Sequence, residues 1–266
     1  MARNLPPRIL TIAGSDSGGG AGIQADLKTI LAMDGYGMSA LTALTAQNTC
    51  GVRGVHPVPP DFVADQIDSV AEDIGVDAAK TGMLNTAGVV AAVAGRVGHH
   101  RLEPLVVDPV MISKSGARLL QPAAEDALRD ELVPLATVLT PNLPEARMLS
   151  GIEVSRPDQM RDAARAVLDL GPAAVVIKGG HLEGEPLDLF YDGEEFVEIA
   201  YPRVETRNTH GTGCTYSAAI ATCLGRGMAP AEAVRAARAA LQHAIENALP
   251  LGEGHGPLDH RAMFGA

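Results

Sequence analysis

Along the chain, short runs of β-branched and aliphatic residues alternate with longer stretches in which apolar side chains recur every three or four positions. The first run, residues 8–13, has the length and make-up of a strand. Residues 21–33 follow as a helix, with Ile23, Leu27, Ile30 and Leu31 at helical spacing. Strand patterns recur over 39–46, 76–81, 105–108 and 138–140. Helical patterns fall between them over 61–73, with Asp61 as the cap, and over 87–97, 123–131, 143–149 and 157–168. Residues 173–178 form the clearest buried strand, and 187–191 with 196–200 read as a hairpin around Asp192-Gly193. The last third is helical, over 213–224 and 231–248.

Repeated strand-helix alternation implies parallel strands with helices on both faces of the sheet, a three-layer α/β arrangement. No internal repeat, low-complexity tract or shift in composition divides the chain, so a single domain over residues 1–266 is expected. A chain of this length buries roughly 75% of its unfolded surface, enough for a sizeable core. In such sheets ligands bind beyond the carboxyl ends of the strands. The unusual polar and glycine-rich segments of this sequence fall there.

Composition narrows the chemistry. The chain is 46% hydrophobic and 20% charged, that of an ordinary folded protein. A net charge of −11 argues against nucleic-acid binding, which needs clustered Lys and Arg, and the absence of Trp removes stacking platforms. An anionic ligand would have to be held by local amides and a few basic side chains. Cys50, Cys214 and Cys223 show no CxxC spacing, so neither a disulfide framework nor a zinc site is indicated and a reducing cytoplasm fits. Residues 1–7 lack an apolar leader core, and no run approaches 18 apolar residues, so no membrane span is expected.

The most informative segment is Asn208-Thr209-His210-Gly211-Thr212-Gly213-Cys214, which runs into the small-residue helix. Two glycines let backbone approach a ligand, and the first amides of the helix point at the same spot. With the helix dipole they make an anion site worth about 0.3–2 kcal/mol per charge. The same field would favour a thiolate at Cys214. The alternative is a glycine turn into a buried helix that carries an inert core cysteine.

Other strand ends carry their own chemistry. Gly14-Ser15-Asp16-Ser17-Gly18-Gly19-Gly20-Ala21-Gly22 follows the first strand and opens the helix that holds Asp26. It is neither GxxxxGK[ST] nor GxGxxG. A flexible tight turn is the plainer reading, and Asp26 by itself reads as a solvated helix residue. Gln47, in Thr45-Ala46-Gln47-Asn48-Thr49, offers donor and acceptor to the amide-like edge of a heterocycle, or simply bonds backbone. Asp108 in Asp108-Pro109-Val110-Met111, with Asn142 and Glu145 in Thr140-Pro141-Asn142-Leu143-Pro144-Glu145, supplies oxygen ligands suited to Mg²⁺. Asn142 and Glu145 fit a helix-capping box equally well. Lys178-Gly179-Gly180 puts a cation where glycines allow a phosphate to approach, or is an ordinary turn. Together, five strand ends with glycine turns, a lysine, carboxylates, an amide and a helix start read as a phosphoryl-transfer site.

In their order and number these motifs resemble the hydroxymethylpyrimidine/phosphomethylpyrimidine kinases of thiamine biosynthesis, in the ribokinase superfamily. The resemblance runs from TIAGSDSGGGAGIQADLKT through TALTAQNT, KTGML, DPVM, TPNLPEA and VIKGGHL to NTHGTGCT, nearly the whole chain. It implies a ribokinase-like three-layer α/β/α fold with a central, mainly parallel sheet, and ATP and Mg²⁺ as cofactors. It also implies one site that phosphorylates a hydroxymethylpyrimidine and then the resulting monophosphate. By position, Gln47 would read the pyrimidine, with Gly14, Asp26, Met83 and Val110 lining the same pocket. Lys178 and Thr212 would touch ATP phosphates, while Asp108, Asn142 and Glu145 would organise Mg²⁺. Gly211, Gly213 and the Cys214 amide would form the anion hole. Cysteine in place of the superfamily's usual aspartate base is the mark of the pyrimidine-kinase branch.

The same branch includes pyridoxal kinases, whose substrate is also a small aromatic nitrogen ring with a hydroxymethyl arm. Gln47 with Met83 favours an aminopyrimidine. A binding module without catalysis is a further reading, opposed by the intact Lys178, Glu145 and GTGC loop. Residues 113–121, with Gly116 as hinge, are expected to close over substrate and exclude water. The resemblance further implies a cytoplasmic homodimer.

Overall fold

A computed structural model describes residues 5–111, 120–180 and 185–265. The expected closing loop over residues 113–121 lies almost wholly outside them. Among the described residues nine strands form one sheet in the order β3-β2-β1-β4-β5-β6-β7-β8-β9. They are β1 (Arg8–Asp16), β2 (Tyr36–Asn48), β3 (Gly51–Pro57), β4 (Ala78–Thr81), β5 (Leu105–Val107), β6 (Val138–Leu139), β7 (Val175–Lys178), β8 (Leu187–Tyr191) and β9 (Phe196–Ala200). From β2 to β7 neighbouring strands are parallel, while β3 at one edge and the β8-β9 hairpin at the other are antiparallel.

Eight helices among the described residues cover the two faces: α1 (Gly22–Ala32), α2 (Pro60–Asp73), α3 (Ala87–His100), α4 (Pro122–Ala127), α5 (Leu143–Ser150), α6 (Pro157–Leu168), α7 (Thr212–Gly225) and α8 (Pro230–Glu246). Alternation along the strands splits the core in two. Leu10 and Ile12 of β1 pack with residues of α2, α3 and α6, whereas Ile9 joins α1, α7 and α8. Helix α7 is buried without interruption from Thr215 to Leu224. A helix enclosed on every side needs small side chains, and Ser217, Ala218, Ala219 and Ala221 supply them.

The parallel sheet, with helices on both faces, is the architecture the periodicity predicted. Differences fall at the margins. β3 was not anticipated: its sequence, GVRGVHP, is an exposed edge with no apolar face to betray it. Asp61 does not cap α2. Pro59 holds that position, and the Asp61 carboxylate accepts the Phe62 N–H from within the first turn. The helix expected over 123–131 is α4, followed by a wider turn over Leu128–Leu132 and a tighter one over Val133–Leu135. Pro134 lacks the N–H that regular continuation needs.

β1 connects to β2 on one side, while β4 and its successors extend the sheet on the other. Connections therefore diverge beyond the carboxyl ends of β1 and β4, which opens a crevice there.

Candidate active site

The carboxyl end of β1 is organised around Asp16, which is 3% exposed. One Asp16 oxygen accepts the Gly18 N–H (2.8 Å), and the other accepts the N–H groups of Gly20 (3.0 Å) and Ala21 (2.9 Å) and faces His210 Nε2 at 2.9 Å. Burial works against the charged form, but His210 and the loop amides outweigh it and hold this carboxyl below its ordinary range. The glycine-rich turn is thus wound on a buried carboxylate rather than left flexible. His210 ties it to the start of α7.

At that start Gly211 has φ +87°, and a β-carbon there would collide with the Gly20 carbonyl oxygen. The Thr212 hydroxyl donates to the Thr209 carbonyl at 2.7 Å. Gly213 lies against Asp108 and Lys178: a β-carbon on it would sit 3.4 Å from Asp108 Oδ2 and 3.5 Å from Lys178 Nζ. The Lys178 ammonium and Asp108 Oδ1 are 2.9 Å apart, and Ser217 Oγ lies 3.4 Å from Asp108 Oδ2. Burial lowers the Lys178 affinity for its proton, but Asp108 and Glu145 more than offset this and raise it.

Asn142 and Glu145 do form the capping box. Asn142 Oδ1 accepts the Glu145 N–H at 2.9 Å, and Glu145 Oε2 accepts the Asn142 N–H at 2.8 Å. Both also line the cavity, so the capping and site readings describe one arrangement. Burial, opposed by Lys178 and reinforced by Asp108, pushes the Glu145 carboxyl up to about 7.

Cys214 departs from expectation. Burial pushes its thiol up to about 11; Lys80 pulls it down, and Asp26 and Asp108 push it further up. A helix N-terminus alone would favour thiolate, but this half-buried sulfur also feels the charges of Asp26 and Asp108. Lys80, fully buried, pairs with Asp26 Oδ2 at 2.9 Å, and the Thr11 hydroxyl donates to the same oxygen at 2.6 Å. Asp26 is therefore neither solvated nor on the cavity wall. It lies behind that wall, with Oδ1 unpartnered among the described residues.

These groups surround a cavity of about 250 Å³. Its lining brings together Gly14, Gln47, Met83 and Val110 with Asp108, Lys178, Thr212, Gly213 and Cys214. A side chain at position 14 would meet the Met83 methyl, which would have to shift to make room for it. Beyond Lys178 the wall continues through Asp188, Tyr201, Tyr216 and Arg238. Sequence reasoning gave no role to these four, nor to Asp16, Lys80 and His210. Only Lys80 carried a signal, a lysine in an otherwise apolar strand run that must find a buried partner. Among the described residues no three acidic, His or Cys side chains cluster as a closed metal cage.

Glycine turns, a helix start, an ammonium group and paired carboxylates converging at the switch point of a ribokinase-like sheet define a small-molecule kinase class. A family model described as phosphomethylpyrimidine kinase matches residues 16–259, and the chain belongs to that family. The hydroxymethylpyrimidine/phosphomethylpyrimidine kinase of Streptomyces coelicolor is 51% identical over 98% of this chain and 96% of its own length. The thiamine biosynthesis bifunctional protein ThiED of Geobacter sulfurreducens is 52% identical over 95% of this chain, which spans 52% of that relative. Among solved structures, an ADP complex of Bacillus subtilis pyridoxal kinase superposes with a TM-score of 0.91 at 42% identity, over 97% of this chain and 98% of that one.

Proposed function

We propose that this chain transfers the γ-phosphoryl group of ATP to 4-amino-5-hydroxymethyl-2-methylpyrimidine, and then a second phosphoryl group to the monophosphate. Relatives that carry this activity in their names match nearly its full length. The observation that carries the reading is that one cavity is lined both by Gln47, Met83 and Val110 and by Lys178 and the start of α7 at Thr212, Gly213 and Cys214.

In this reading Gln47 pairs with the ring edge, and Met83 and Val110 hold its faces. The hydroxymethyl arm then points at Cys214. Lys178 and Thr212 engage ATP phosphates, and the Gly211, Gly213 and Cys214 amides meet charge that develops on the transferring group. The two carboxylates Asp108 and Glu145, beside Asn142, make an open oxygen donor set of the kind that shares Mg²⁺ with phosphates and water. Burial, with the nearby Asp108 charge adding to it, pushes the Glu145 carboxyl up to about 7. Bound there, Mg²⁺ would neutralise phosphate charge. Since the Cys214 thiol keeps its proton at neutral pH, it serves as a hydrogen-bond partner to the substrate hydroxyl rather than as a standing base. Phosphoryl transfer, governed by positioning and charge, tolerates this. Family resemblance supports one ribokinase-like unit over residues 1–266 and a cytoplasmic homodimer as parts of the same reading.

The test is ADP release from Mg-ATP with the hydroxymethylpyrimidine, its monophosphate, pyridoxal or no acceptor. Turnover on both pyrimidines well above pyridoxal supports the proposal. Preference for pyridoxal moves the chain to vitamin B6 chemistry on the same fold, and no turnover leaves a binding module.

A further inference from the structure

His210 stands between two side chains of different purpose. Its Nε2 lies 2.9 Å from Asp16 Oδ2 and 3.2 Å from the Gln47 amide nitrogen. A carboxylate held below its ordinary range only accepts, so the nitrogen that faces it carries a hydrogen whether the imidazole is neutral or charged. The Gln47 NH₂ group then meets a donor. At its other end, Gln47 Oε1 lies 3.3 Å from the Thr45 hydroxyl. That hydroxyl has one hydrogen, directed to the Ser15 carbonyl at 2.8 Å. Oxygen therefore meets oxygen lone pair. Half a turn of the Gln47 carboxamide removes both conflicts. His210 Nε2–H is then shared by Asp16 Oδ2 and the Gln47 oxygen, and Gln47 donates one N–H to Thr45 Oγ1.

We propose that the Asp16–His210 pair locks the direction of the Gln47 carboxamide and so sets which heterocycle edge the site accepts. The inference rests on Gln47 being the ring-contacting residue, as read above. Locked this way, the carboxamide offers an acceptor on the His210 side and a donor on the Thr45 side. A ring that presents an exocyclic amino group beside a bare ring nitrogen matches that order. Its oxo analogue, with a carbonyl beside a ring N–H, presents the reverse and leaves buried polar groups unpaired. His210 is thus a positioning residue for specificity. It is itself held by the turn, since a β-carbon on Gly20 would come within 2.6 Å of its Cδ2.

The experiment compares steady-state phosphorylation of the 4-amino hydroxymethylpyrimidine and its 4-oxo analogue by wild type, His210→Ala and His210→Gln. In the glutamine variant an N–H reaches the place of Nε2. Releasing the lock in His210→Ala is expected to cut the preference for the amino ring at least tenfold, mainly through the pyrimidine KM, while His210→Gln keeps it. Nitrogen-15 spectra of wild type should show His210 Nε2 protonated. Parallel loss on both rings with the preference intact would make His210 a mere prop, and a bare Nε2 would equally overturn the lock. Wild type that phosphorylates neither ring overturns the functional reading beneath it, and the lock with it.

Discussion

Lys80 and Asp26 form an ion pair 2.9 Å long, with neither side chain reaching solvent, and both charges act on the thiol of Cys214, which lines the cavity. Asp26 and the charges beyond it hold Lys80 above its ordinary proton affinity despite burial. Removing one partner leaves an uncompensated buried charge, which costs about 3–5 kcal/mol, whereas replacing both with apolar groups costs far less. Lys80→Met should therefore lower the urea midpoint sharply, and Lys80→Met with Asp26→Leu should recover much of the loss. A single variant as stable as wild type would mean that the pair is not ionised.

Cys214 is the second test of that neighbourhood. With its thiol pushed up to about 11, alkylation at pH 7.5 should be slow there and fast at the exposed Cys50. Peptide mapping after brief iodoacetamide treatment reads both. Cys214→Ala should still lower turnover at least tenfold, on the order of 1.4 kcal/mol of barrier, because the side chain lines the cavity where the proposed reading puts the acceptor hydroxyl. Wild-type turnover in that variant would remove the thiol from the mechanism.

These two residues also show how far sequence carried. Cys214 was legible because its surroundings are contiguous: glycines, a helix start and a thiol within seven positions. So were the strand ends at Asp108, Asn142 and Lys178, since periodicity placed each strand and polarity marked its end. Lys80, 54 positions from Asp26, meets it only across two neighbouring strands and a helix. The sign of the Cys214 shift could not be read locally either. A helix start favours thiolate, and only the assembled burial with Asp26 and Asp108 reverses it. Asp16 and His210 are separated by 194 positions, beyond any local pattern.

Asp188 should govern nucleotide binding through the turn that follows Lys178. In the β7-β8 register it stands opposite Lys178, and its Oδ1 accepts the Gly179 N–H and the Tyr201 O–H, both at 3.1 Å. Tyr201 is in turn stacked by the Arg238 guanidinium, 3.6 Å from the ring centre. Asp188→Ala frees that turn, so the ATP KM should rise about tenfold, on the order of 1.4 kcal/mol, with the pyrimidine KM little changed. Asp188→Asn keeps the acceptor and should stay near wild type. Equal loss of both substrates in Asp188→Ala would mark a general folding defect.

Gln47→Ala should raise the KM for the hydroxymethylpyrimidine and spare that for ATP, because in the proposed reading the carboxamide pairs with the ring edge while Lys178 engages the nucleotide. Initial-rate measurements with each substrate varied in turn check this. Comparable weakening of both would make the residue a support for the β1 turn, where its backbone N–H donates to Ser17 Oγ and its carbonyl accepts the Ser17 hydroxyl, both at 2.8 Å.

Glu145 ties stability to pH in the direction opposite to an ordinary paired carboxylate. Its folded value, raised to about 7 from 4.5, means that the folded protein binds more protons than the unfolded chain between those limits. Stability from this group is therefore full below about pH 4.5, falls as pH rises, and levels off above about 7, a loss of up to about 3 kcal/mol. Glu145→Gln retains an oxygen for the Asn142 N–H and removes the titration. Without divalent cation, its thermal midpoint should exceed that of wild type at pH 8, and the gap should shrink toward pH 5. Millimolar Mg²⁺ with nucleotide should close the gap at pH 8 by stabilising wild type alone, if the carboxylate faces that cation. A pH-independent difference between the two proteins would place the Glu145 proton elsewhere and remove it from the cation-binding pair.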